Sequence, residues 1–162
     1  MDADNRHHLD ASVGWMGLGN LGEAVQELNR MAPEWALHPD VLEVKWELHG
    51  RQKRWQEALR TAELLVDSYP DRCSGWLHRS YCLHELQRTL EAWNKLIPAF
   101  DKFPKEATIP YNLACYACCL GNLDVAKVWL EKAVLIRGRR AIKAIAVNDK
   151  DLLELHATLH EW

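Results

Sequence analysis

Apolar and polar residues along this chain recur with the spacing of helices that each bury one stripe. Trp55, Ala58, Leu59, Ala62, Leu65 and Val66 fall on one side of a 3.6-residue helix, and Leu123, Ala126, Leu130, Ala133 and Val134 on one side of another. Both patterns predict core-facing helices. Leu42 to His49 departs from them by alternating apolar and polar residues one by one, the period of a half-buried strand. We assign it to helix all the same, because regularly spaced features flank it on both sides and a lone strand among helices would leave its backbone groups unpaired. Pro98 falls inside another helical stretch, where its missing N–H predicts a bend or an early end. After Gly138 the pattern decays over Arg139 to Ala146. Asn148-Asp149 then offers an N-cap for a last helix through Leu152, Leu155 and Leu159.

The regular features are a repeat. Gly22-Glu23-Ala24, Gln56-Glu57-Ala58, Leu90-Glu91-Ala92 and Asp124-Val125-Ala126 place four alanines 34 residues apart. Gly19 and Gly121 stand five residues before the first and fourth alanines, and Pro70 and Pro104 twelve residues after the second and third. Each sits where a two-helix unit needs a turn. Four residues beyond the alanines come Leu28, Ala62, Leu96 and Leu130, and twelve before them come Ser12, Trp46, Ser80 and Ala114, small except for the tryptophan.

On these residues the chain resembles the tetratricopeptide-repeat family, and in Tyr111-Asn112-Leu113-Ala114-Cys115-Tyr116-Ala117-Cys118 and Asn148-Asp149-Lys150-Asp151-Leu152 it is similar to small bacterial proteins of that family. The resemblance implies an all-α, right-handed solenoid of about four helix pairs in a single domain over residues 1–162. Repeats would fall near 5–38, 39–72, 73–106 and 107–138, with a C-terminal cap over 139–162. It also assigns positions two, five, nine and twelve of each first helix to a ligand groove. Those places hold Arg6, Leu9, Val13 and Met16; Asp40, Glu43, Glu47 and Gly50; Ser74, Leu77, Tyr81 and His84; and Thr108, Tyr111, Cys115 and Cys118. The expected partner-binding residues are Glu43, Glu47, Leu77, Tyr81, His84, Tyr111, Cys115 and Cys118, suited to a peptide or partner segment with an apolar anchor and a basic flank. The Lys, Asn and Arg clamp by which some of these domains hold a carboxylate is not expected, because its places hold Leu9, Val13, Val44, Ser74 and His78 or, one repeat later, Glu43, Glu47, His78, Thr108 and Asn112, of which only Asn112 offers an amide donor.

Composition narrows the function classes. A net charge of -3 and a pI near 6.2 supply no positive field for nucleic acid or an anionic membrane. The polar start from Met1 to His8 and the lack of a long apolar run predict a cytoplasmic protein with no membrane span. Five cysteines, an odd number, suit reduced thiols. The resulting expectation is a non-catalytic interaction scaffold with no cofactor, of undetermined oligomeric state and partner. An export chaperone is the narrower alternative.

Two chemical readings compete with it. Gly17-Leu18-Gly19-Asn20-Leu21-Gly22 matches G-x-G-x-x-G, with Asp40 beyond it, as in a dinucleotide-binding enzyme. That motif needs a preceding strand, and His8 to Val13 has no β-branched or aromatic run. Cys115, Cys118 and Cys119, with His78, Cys82 and His84 on a neighbouring helix, could gather zinc ligands, but thiols three apart on a regular helix have little freedom to converge. No metal site is expected there, nor at His156 and His160. No nucleophile elbow, phosphate loop or H-E-x-x-H is present to carry catalysis.

Overall fold

The structure, a computed structural model, describes residues 1–157. Among the described residues there are no strands. The α-helices are α1 (Ala3–Gly17), α2 (Leu21–Arg30), α3 (Pro39–Arg51), α4 (Trp55–Ser68), α5 (Cys73–Glu85), α6 (Thr89–Lys102), α7 (Thr108–Cys119), α8 (Leu123–Arg137) and α9 (Arg139–Ala146). Short 3-10 helices cover Pro33–Trp35 and Lys150–Leu155. The alternating stretch Leu42 to His49 lies wholly within α3, and all-α is the fold class. The chain forms two compact units, one from Met1 to Cys82 and one from Leu83 onward.

In the first unit, α1 packs on α2 and α3 on α4 as helix hairpins. The small residues sit where the helices cross. Ala24 and Ala58 are fully buried, and the Ser12 hydroxyl donates to the Ala24 carbonyl at 2.9 Å, a distance only a short side chain permits. Leu9, Met16, Ala24, Val41, Val44 and Leu48 make one cluster. The cluster corrects the groove assignment in the first repeat: Leu9 and Met16 are core residues, whereas Arg6 and Val13 are exposed. Helix α2 stops at Arg30, before the Pro33 turn. Gly75 brings α5 onto α4, since a Cβ there would lie 3.0 Å from Leu65 Cβ and 3.1 Å from the Val66 backbone nitrogen.

Trp46 occupies a place where a small residue is expected, and its ring leaves the α3–α4 crossing. It stacks on His78 of α5, ring centroids 3.5 Å apart and planes within 11°, and its indole N–H donates to Cys82 Sγ at 3.2 Å. The large side chain thus fills space between α3 and α5.

In the second unit, α7 is the central element. Ile109, Leu113 and Ala114 are fully buried, with α6 and α8 packed against the helix. Ala92, Leu96, Ala126 and Leu130 are buried on those second helices. Pro98 does not end α6, which continues to Lys102. Trp129 sits edge-on to Trp93 and Phe100, and the Lys132 ammonium lies 4.5 Å over its ring. The sequence after Gly138, which carries no clear period, nevertheless forms α9, anchored by the buried Ile142 and Ala146. Asp149 does act as an N-cap, accepting from the Asp151 N–H at 3.0 Å, but the helix it opens is 3-10. Leu152 and Leu155, three apart, meet the same buried face because a 3-10 helix has three residues per turn. The expected continuation to Leu159 lies outside the described residues.

The turns within the helix pairs share one geometry at 34-residue intervals. Gly19, Lys53, Gln87 and Gly121 have φ of 77°, 55°, 61° and 77°. One residue later, the N–H of Asn20, Arg54, Arg88 and Asn122 reaches back to the carbonyls of Trp15, His49, Leu83 and Ala117 at 2.9 Å each. These are Schellman closures, which need a left-handed residue. The Gly17–Gly22 segment is thus a helix–helix turn with no strand before it, and the dinucleotide reading loses its structural basis. Two of the four turns use a non-glycine residue at a cost of about 1–2 kcal/mol. Gln87→Gly is expected to stabilise the chain by about 0.5 kcal/mol after the added chain entropy of glycine. Gly121→Ala, whose Cβ would meet nothing within 4 Å, should cost about 1 kcal/mol. Urea unfolding of the two variants, with opposite signs expected, checks both.

Candidate functional site

The first unit presents one face made by α1, α3 and α5. Asp40 at the start of α3 joins the helices, taking Arg6 of α1 at 3.3 Å and Arg72, just before α5, at 3.2 Å. Burial pushes the Asp40 carboxyl upward, but bonds from Arg72 and Arg6 outweigh it and hold the group below its ordinary range.

Further along α3, Glu43 is half-buried between two residues of α5. Its Oε2 lies 2.6 Å from His78 Nε2, and its Oε1 accepts from the Ser74 hydroxyl. Burial again opposes the charge, and bonds from His78 and Ser74 keep the carboxyl below its usual value. A serine, a histidine and a carboxylate therefore meet, but in the wrong order for nucleophilic catalysis. The hydroxyl donates to the carboxylate and not to the imidazole, so the histidine is not placed to take its proton. Glu47, one turn on, is bridged by Arg51 at 2.7 Å. The two glutamates expected to meet a basic flank thus already have partners within the fold.

Tyr81 gives this face an aromatic platform. The residue is 40% exposed, and its ring is braced edge-on by Trp55 at 5.6 Å and Trp46 at 6.4 Å. Leu77, one turn earlier on α5, is partly exposed. Gly50 lies against the Trp55 ring, its built Cβ position 3.4 Å from the indole.

The predicted groove residues of the second unit have a different setting. Tyr111, Cys115 and Cys118 are buried, and the chain's own Asp149–Leu155 segment packs on α7. The Tyr111 hydroxyl donates to Asp149 Oδ2 at 2.6 Å, and Cys115 Sγ lies 3.7 Å from the same oxygen. Burial, and then the Asp149 carboxylate, push the Tyr111 phenol and the Cys115 thiol far above their ordinary values. His84 Nε2 pairs with Asp151 Oδ2 at 3.1 Å while its Nδ1 meets the Thr89 hydroxyl at 3.0 Å. Asp151 raises the His84 pKa against the opposing effect of burial, and His84 in turn holds the Asp151 carboxyl low. Four residues expected to face a partner therefore grip the C-terminal segment. Asp149 and Asp151, which do the gripping, were invisible as site residues: their sequence signal is that of a helix cap, and nothing local shows that the segment folds back on α7.

No family model and no curated protein matches the sequence. Solved structures do. A thermophilic tetratricopeptide-repeat protein of Thermus thermophilus matches with a TM-score of 0.71 at 18% identity, over 98% of this chain and 100% of its own. MamA from Desulfovibrio magneticus RS-1, from residue 41 onward, matches with a TM-score of 0.73 at 17% identity, over 99% of this chain and 92% of its own. A further MamA crystal structure gives 0.74 at 14% identity, over 99% and 90%. Identities this low speak to architecture, and they agree with the buried alanines and repeated left-handed turns. The chain has the tetratricopeptide-repeat fold.

Proposed function

We propose that the chain is a protein-binding module that receives a partner segment on the α3–α5 face of its first unit, at Tyr81 and Leu77. The observation that carries this reading is the Tyr81 ring, partly exposed yet fixed by Trp46 and Trp55. A braced aromatic loses little side-chain entropy on binding and offers a large apolar surface beside a polar edge, the character of an interface anchor. The fold supports the same conclusion, because repeat stacks line up their first helices as extended docking faces. The partner would bring an apolar anchor. A basic flank gains less than the sequence suggests, since it would have to displace Arg51 from Glu47. His84, Tyr111, Cys115 and Cys118 are assigned to holding the C-terminal segment.

A catalytic reading has weaker support, because the Ser74–Glu43–His78 order leaves the hydroxyl unactivated. Among the described residues no helix is long and apolar enough to cross a membrane. The test is quantitative capture of partners from the native cell, with Tyr81→Ala compared against Tyr111→Phe. Loss of a shared partner by at least tenfold in the Tyr81 variant alone is the expected result. Equal retention by both would remove Tyr81 from the interface and the proposal with it.

A further inference from the structure

Three elements of the second unit bring metal-binding side chains to one point. His84 from the last turn of α5, Cys119 from the end of α7 and Asp151 from the C-terminal 3-10 helix place their donor atoms within 4.8 Å of one another. Asp151 also belongs to an adjoining triple with Cys115 and Asp149, again within 4.8 Å. A tetrahedral ion with bonds of about 2.0–2.3 Å sets its ligands roughly 3.3–3.8 Å apart, so small side-chain movements would close either triple.

The histidine is already oriented for such a role. Its Nδ1 lies 3.0 Å from the Thr89 hydroxyl, which can accept a hydrogen on Nδ1 once a cation at Nε2 takes the place of the hydrogen that Nε2 shares with Asp151. A second partner that fixes tautomer and ring plane is the usual support of a metal-bound imidazole. The charges point the same way. The two triples, joined at Asp151, offer two carboxylates, two thiols and one imidazole. A divalent cation would hold the Cys119 sulfur as thiolate. Mixed nitrogen, sulfur and oxygen donors favour zinc over calcium or magnesium, which take oxygen. Cys119 is exposed and borders a cleft with Cys118, Asp151 and Glu154, which gives an ion a way in; Lys150 stands on the same rim.

We propose that His84 Nε2, Cys119 Sγ and a carboxylate oxygen of Asp151 bind one zinc-class divalent cation, with water in the fourth position. On binding, the Cys119 thiol proton and any proton on His84 Nε2 pass to solvent. The ion pins the C-terminal segment to the ends of α5 and α7. Sequence spacing points to the pair Cys115 and Cys118, three apart; the structure replaces it with residues 84, 119 and 151, drawn from three elements. The site is independent of the face at Tyr81.

Cobalt(II) titration of the purified, metal-free chain tests the proposal. The expected result is a one-to-one complex with tetrahedral d–d absorption and a thiolate charge-transfer band, both removed by one equivalent of zinc. Cys119→Ser should abolish the charge-transfer band, and Asp151→Asn and His84→Ala should each weaken binding at least tenfold. His7→Ala/His8→Ala should leave the spectrum intact, which separates the site from histidine binding at the N-terminus. Far-ultraviolet circular dichroism of each apo variant checks that it folds. A wild-type chain with no charge-transfer band overturns the proposal, as does unchanged affinity in folded Cys119→Ser and Asp151→Asn variants.

Discussion

Leu113→Ala is expected to destabilise the second unit by about 3–5 kcal/mol. Leu113 is fully buried in the middle of α7, the helix on which α6, α8 and the C-terminal segment all pack. Its neighbours Ile109, Ala114, Tyr116 and Ala117 are buried too, so the surroundings of the lost methyl groups cannot collapse from a solvent side. In a unit of this size the change should lower the melting temperature by more than ~10 °C. The control is Leu135→Ala, which removes the same atoms from a position that is 85% exposed and should move the midpoint hardly at all. Thermal and urea unfolding followed by far-ultraviolet circular dichroism measure both. Comparable losses in the two variants would mean that α7 does not organise the unit.

Side-chain volume at fixed intervals made the architecture legible. Ala24, Ala58, Ala92 and Ala126 are all fully buried, and each lies where two helices approach too closely for a larger residue. The alternation from Leu42 to His49 misleads only if read alone. Val41, Leu42, Val44 and Leu48 are buried because α3 is covered on more than one side, and wide burial hides a helical period. What the sequence concealed has two physical origins. Left-handed turns at Lys53 and Gln87 carry no glycine, so the local code for a turn is absent and only the neighbouring repeats place them. The C-terminal segment is harder still, since its fold-back on α7 rests on long-range pairings such as Tyr111 with Asp149 and His84 with Asp151. A groove position inferred from a repeat unit says where a side chain points from its own helix. It does not say what else in the chain arrives to cover it, and here Tyr111, Cys115 and Cys118 are covered.

The double substitution Leu152→Ala/Leu155→Ala is expected to free that face. Both leucines are buried, and in the absence of metal they are the main apolar anchors of a short segment otherwise held by the hydrogen bonds that Tyr111 and His84 give to Asp149 and Asp151. Losing about 2 kcal/mol of burial at each would raise the detached fraction roughly a thousandfold, at 1.4 kcal/mol per tenfold. Cys115 is the natural reporter. In the intact chain it is 4% exposed and its thiol is held protonated by burial and by the Asp149 carboxylate. Detachment removes both effects together, so its alkylation rate at neutral pH should rise by several hundredfold or more, read by mass spectrometry of the α7 peptide. Cys82, buried in the other unit, serves as the internal standard and should stay slow. Retained helicity in the variant would show that the segment left without taking α7 and α8 with it. A Cys115 rate unchanged from the parent chain would mean that the segment does not shield the helix, and the contacts of Asp149 and Asp151 would then have to be read as those of a dispensable tail.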